Sequence, residues 1–163
     1  MASLNYPYTF TNGTTADANQ VMSDLNAVKT FVEGSVLQVD GSTGRPKLII
    51  PHTFTVPGVV VVAANQADYL PPFFIKVPAS QTVKLISARH RINSGTSATV
   101  SVKVNGVNAT GFTSMSVTTS AADTNPTDIS LADNDIVSIT VDAISGGPQN
   151  MSVSLFFEYT WIA

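Results

Sequence analysis

From residue 52 onward the chain is cut into short apolar runs by turn-forming clusters, and this punctuation limits what it can fold into. Residues 59–64, 73–77, 83–90, 98–104, 112–117, 129–131, 136–143 and 151–161 are rich in Val, Ile, Phe and Thr. Gly, Pro, Asn, Asp or Ser separates almost all of them. Asn105-Gly106, between Val104 and Val107, is a two-residue hairpin signal; Asp133-Asn134-Asp135 marks a tight turn, and Gly146-Gly147-Pro148 closes another. Val100, Val102 and Val104 interleave with Ser101 and Lys103, and Val137, Ile139 and Val141 with Ile136, Ser138 and Thr140. Such period-two alternation gives each strand one apolar face. The expected fold class is mainly β: an antiparallel β-sandwich or jelly roll of about eight short strands. Its last two strands, 136–143 and 151–159, are expected to form a hairpin. Phe156, Phe157, Tyr159, Trp161 and Ile162 place the end of the sequence inside a packed sheet or a subunit contact.

Residues 12–31 follow a different period. Thr14 and Asp17 stand in capping-box order, and Ala18, Val21, Leu25, Val28 and Val32 follow at alternating steps of three and four. This predicts a helix over about 16–33, with Gly34 as its C-terminal stop. Burying a Val or Leu contributes roughly 1.5–3 kcal/mol and ordering a backbone residue costs roughly 1–2 kcal/mol, so the stripe cannot sustain a helix alone. With Ala18, Leu25 and Val32 at a and Val21 and Val28 at d, Asp24 falls at g and Lys29 at the e position that faces it across a parallel pair. Leu at a with a β-branched residue at d disfavours two strands, so a parallel homotrimer is expected. The competing reading lays the helix on the chain's own β domain. Ahead of it, Tyr6, Tyr8 and Phe10 around Pro7 form a non-helical aromatic arm, suited to attachment or to lying on its own domain. The resulting division is arm and helix over 1–34, a connector over 35–51 with a turn signal at 40–44 and a small hairpin, and the β domain over 52–163.

Composition excludes several functions. At 163 residues the chain fits one ordinary domain plus an appendage. With 12% charged residues and a net charge of −3 there is no basic field to attract nucleic acid. The absence of cysteine removes disulfides, thiolate metal sites and a cysteine nucleophile. The opening residues lack the basic and apolar regions of a signal peptide and read as mature sequence. The longest strongly apolar run, 58–64, is far below the roughly 18 residues a membrane helix needs, so no membrane association is expected.

No catalytic, cofactor or metal residue is assigned. The sequence contains no G-x-S-x-G, H-E-x-x-H, Walker A or G-x-G-x-x-G pattern. Its two histidines lack a catalytic context: His52 follows Pro51 in an expected loop, and His90 lies between Arg89 and Arg91 at a strand end. Asp133, Asp135 and Asp142 offer oxygens of the kind calcium takes, but Asp and Asn in a turn are more simply explained by bonds to the local backbone. Lys84, Arg89 and Arg91 form a small basic cluster, fit to meet acids of a neighbouring subunit or to remain a solvated strand face. Asn12, Asn108 and Asn150 begin N-x-S/T triplets that carry little meaning without a secretory signal. The aromatic clusters at 69–74 and 156–161 are core by default; as sugar-stacking platforms they could show a ligand only alternate side chains.

Residues 10–28, FTNGTTADANQVMSDLNAV, resemble the F-x-N-G-T-x-A-D-A-x-x-V-N-x-x-F/L-x-x-V segment common near the N-termini of bacteriophage tail-fibre, head-fibre and related appendage proteins. Asn12, Gly13, Thr14, Ala16, Asp17, Ala18 and Val21 match in order; Met22 departs, on the outer face, where that pattern has Asn. Residues 130–143 and 150–161 are similar to β domains of phage surface proteins. The resemblance implies a trimer-forming helix ahead of a β domain, in a non-enzymatic structural protein assembled in the bacterial cytoplasm. Within that class, a chain this short and without a long fibre repeat favours a capsid decoration, cement or head-fibre protein bound to the major capsid protein. The alternative is a tail-fibre or receptor-binding protein that contacts tail proteins and recognises a host surface glycan. Leu25→Asp is expected to convert a trimer to a monomer in sedimentation velocity; a trimer undisturbed by the substitution would move trimerisation to the β domain.

Overall fold

The computed structural model describes residues 37–41, 44–62 and 70–162. The predicted helix and arm, and with them Tyr6, Tyr8, Phe10, Ala18, Val21, Asp24, Leu25, Val28, Lys29 and Val32, lie outside the described residues. The chain divides into two units, Met1–Ile49 and Ile50–Ala163. In the first, β1 (Leu37–Val39) pairs antiparallel with the opening residues of β2 (Pro46–Val59), Leu37 opposite Leu48 and Val39 opposite Pro46. Asp40 N–H donates to Arg45 O and Gly44 N–H to Asp40 O, both at 2.8 Å, so the turn signal at 40–44 does close a small hairpin.

His52 is expected in a loop. Instead β2 continues through Pro51 and His52 to Val59. Past the hairpin its one strand neighbour among the described residues is β11, and Pro51 has no N–H to give to a ladder on the other side. Phe54 and Val56 turn inward while Thr53 and Thr55 face solvent. The strand expected over 59–64 is not formed at residues 60–62; Val60 N–H donates instead to Pro148 O at 2.9 Å.

The second unit is two antiparallel sheets in a sandwich-like arrangement. One places β2 beside β11 (Gln149–Trp161), which pairs with β4 (Gln81–Arg91). The far edge of β4 is shared by β8 (Ala122–Thr124) on Ala88–His90 and β9 (Ile129–Leu131) on Val83–Leu85. The other sheet orders β3 (Phe73–Phe74), β10 (Ile136–Ser145) and β5 (Ser97–Val104), with β6 (Val107–Asn108) and β7 (Met115–Val117) along the outer edge of β5. Asn105-Gly106 makes the expected β5–β6 turn, both residues at positive φ. One apolar cluster joins both sheets: Val83, Leu85, Val153 and Leu155 from the first, Val100, Val102, Val137, Ile139 and Val141 from the second, each at most 2% exposed. Phe112, expected in a strand, is a fully buried loop residue whose carbonyl accepts from Val102 N–H at 2.9 Å.

The expected hairpin between the last two strands does not form. β10 pairs with β5 and β3, and β11 with β4, so the chain changes sheets at Gly146-Gly147-Pro148. Gly146 and Gly147 both have positive φ, and Gln149 returns as a bridge to Ser94. This turn presses on Gly95, where a Cβ would sit 2.5 Å from Pro148 Cα, whereas a Cβ on Gly106 meets nothing within 4 Å. Both glycines have left-handed φ and share a strain of roughly 1–2 kcal/mol on substitution by alanine. Gly95→Ala adds an overpacking cost of about 1–3 kcal/mol. Urea denaturation should therefore find Gly95→Ala clearly less stable than Gly106→Ala.

Candidate functional site

The position of the polar side chains is governed by a bulge in β4. Phe156 opposes Ser87 and Phe157 opposes Leu85, leaving Ile86 as the extra residue. Up to Leu85 the odd-numbered residues face the core; beyond Ile86, Ala88, His90 and Ile92 do. Without the bulge, Arg89 and Arg91 would point into the sandwich. With it, both are exposed and His90 is 4% exposed.

The basic cluster is thereby split along the strand, and Lys84 and Arg89 are paired within the chain. Arg89 Nη1 lies 3.2 Å from Asp123 Oδ2 and Lys84 Nζ 3.6 Å from Asp128 Oδ2. These exposed pairs contribute little stability but fix the side-chain directions. Arg91 has no ion-pair partner among the described residues. His90 Nε2 is 3.0 Å from Thr124 Oγ1, and Nδ1 has no hydrogen-bond partner. Burial lowers the His90 pKa, with Asp123 pulling the other way.

The turn carboxylates tie their turn to neighbouring segments of the chain. Asp133 accepts from Val77 N–H at 2.9 Å and Lys76 Nζ at 2.7 Å. Asp135 accepts from Asn105 Nδ2 and Ala132 N–H, each at 2.7 Å, while Asn105 Oδ1 accepts from Ile136 N–H at 2.9 Å. Asp142 sits on β10, apart from that turn, and accepts from Thr140 and from the buried Ser101 hydroxyl. Ser101 was not singled out in the sequence, where it reads as an outward alternate; the loop carrying Ser114, whose N–H donates to it at 2.9 Å, covers it. Among the described residues no group of three or more acidic or histidine side chains is arranged to hold a metal.

The aromatic clusters divide by alternation. Leu70 and Phe157 are buried; Phe73 stacks on His52 with centroids 3.9 Å apart and meets Phe157 edge-on at 5.6 Å. That stacking desolvates His52 and lowers its pKa, and burial raises the Tyr159 phenol. Phe74, 69% exposed, faces outward opposite Ile136. Tyr69 lies outside the described residues. Two concavities accompany these features: a shallow one of about 100 Å³ around Arg89, Arg91, Ser152 and Ser154, and an open groove of about 500 Å³ lined by Thr110, Gly111, Pro126, Thr127, Asp128 and Ile129. Gly111 lets the groove walls meet, since a Cβ there would lie 2.3 Å from Pro126 Cβ. Nothing in the local sequence announces either one, because the register of distant strands and loops makes them.

No protein-family model and no curated protein matches the chain. Among solved structures it is similar to a chain of the cyanophage Pam1 capsid asymmetric unit, at 16% identity and TM-score 0.48 over 71% of this chain and 84% of that one. It is similar to a family 35 carbohydrate binding module from Clostridium thermocellum, at 15% identity and TM-score 0.36 over 71% and 92%. A protein of Bacillus endospore appendages, disulfide-linked pili, matches at 12% identity and TM-score 0.27 over 72% and 91%.

Lys76, foremost, and Val77 N–H hold the Asp133 carboxyl below its ordinary range. The stabilisation is fully present above the unfolded-state pKa and is lost as pH falls through the lowered folded value. In thermal unfolding Asp133→Ala should melt below wild type at pH 7, and the gap should narrow progressively on acidification below the ordinary carboxylate range.

Proposed function

We propose that the chain is a non-enzymatic structural protein of a bacteriophage particle, a homotrimeric decoration, cement or head-fibre protein bound to the major capsid protein. The observation that carries this reading is the segment at 10–28, with its NGTTADA match and its heptad stripe of Ala18, Val21, Leu25, Val28 and Val32. A β-sandwich unit downstream of it is what such a segment precedes in the proteins it resembles. In this reading Tyr6, Tyr8 and Phe10 attach the trimer, Asp24 and Lys29 pair across its helices, and the β unit is presented on the particle. The non-enzymatic part is supported by the uses of the described polar groups: turn carboxylates cap backbone N–H groups, His52 stacks, and His90 is packed beneath a sheet.

The groove between Thr110 and Ile129 favours a second reading, a tail-fibre or receptor-binding head for a host glycan. Its threonine hydroxyls, Asp128 carboxylate and size suit a saccharide. Purified protein offered to empty capsids and to host cells separates the two. Saturable capsid binding without cell binding is expected; cell binding that a Thr127→Trp substitution in the groove abolishes would overturn the capsid assignment.

A further inference from the structure

We propose that the depression on the outer face of the β4–β11 ladder is a binding site for one small oxyanion group, a phosphate or carboxylate borne by a larger molecule. The antiparallel register sets Arg91 opposite Ser152 and Arg89 opposite Ser154. Directly opposed side chains in such a ladder lie about 5 Å apart and share a face, so two guanidiniums and two hydroxyls frame one patch. The β4 bulge puts both arginines on this face. Asp123 takes part of the Arg89 fork and holds it in place at 3.2 and 3.5 Å through a single nitrogen, leaving its other donors unused in that contact.

Arg91 and the Ser152 hydroxyl have no partner among the described residues, and Ser154 Oγ is fixed by Thr53 Oγ1 at 2.8 Å. Two permanent positive charges against one carboxylate leave the patch positive in a chain whose net charge is −3. All of its free side-chain donors are of the kind that recognise oxyanions, and the arginine fork matches planar and tetrahedral oxyanions alike. The volume of about 100 Å³ is that of about three waters, enough for one such group. Beneath the patch Val153 and Leu155 are fully buried, so the strands that carry the four side chains are held by the core. The site is independent of the virion reading, and either can fail without the other.

Titration with sodium phosphate, sodium acetate and methyl glucuronide at constant ionic strength, followed by amide ¹H–¹⁵N shifts, tests it. At least one probe should produce saturable shifts at Arg91, Ser152 and Ser154, and the arm that does so tells a phosphoryl carrier from a carboxylate carrier. Arg91→Gln, at an exposed position, should leave the melting temperature unchanged and weaken that binding at least about fivefold, the loss of a charge-assisted hydrogen bond. Ser152→Asp, which sets a tethered carboxylate before Arg91, should abolish it. Absence of saturation with every probe, or equal binding by Arg91→Gln, would overturn the proposal.

Discussion

The pairing of β11 with β4 is the constraint on which the rest of the second unit depends. It is the inner ladder of its sheet, and its inward residues supply much of the shared core. A slip of β11 by one residue against β4 would exchange that strand's inward side chains for its outward ones, placing Ser152 and Ser154 in the core and Val153 and Leu155 in water. At roughly 1.5–3 kcal/mol for each Val or Leu, that exchange is prohibitive. Within this ladder the bulge at Ile86 changes the phase of β4 alone, and β11 keeps Met151, Val153, Leu155 and Phe157 inward across it.

The strand pattern and the turn chemistry were legible in the sequence for physical reasons. Val137, Ile139 and Val141 alternate cleanly because their strand has one wet face, and Asn105-Gly106 makes its turn because both residues accept positive φ. What alternation cannot report is which strands become neighbours. The segments at 136–143 and 151–159 looked like a hairpin because they are adjacent in sequence, yet two glycines at positive φ send the chain to the other sheet. A Val-Lys-Leu-Ile-Ser-Ala-Arg-His-Arg string does contain its phase change, from Leu85 to Ala88, but the bulge is recognisable only when Ile86 is taken as supernumerary.

The polar groups followed the same division. Asp135 accepts from Ala132 N–H three residues away, a turn role that could be read locally, whereas Asp133 reaches Val77 N–H across 56 positions. Ser101 and Asp142 meet across 41 positions of sequence, and the arginine–serine frame depends on strands more than 60 residues apart, so neither had a local signature.

The placement of β11 also bears on how the protein comes to exist. Both of its neighbours, β2 and β4, are made well before it, and Gln149 follows Arg91 by 58 positions. At roughly 5–20 residues per second on the ribosome, β4 waits about 3–12 s for the strand that completes its sheet. During that time β2 and β4 lack the strand that pairs with both of them. Until it arrives, the nascent chain is open to strand addition by another nascent chain. Crowded synthesis of many copies at once would therefore favour partners that mask β2 and β4 until Trp161 has emerged.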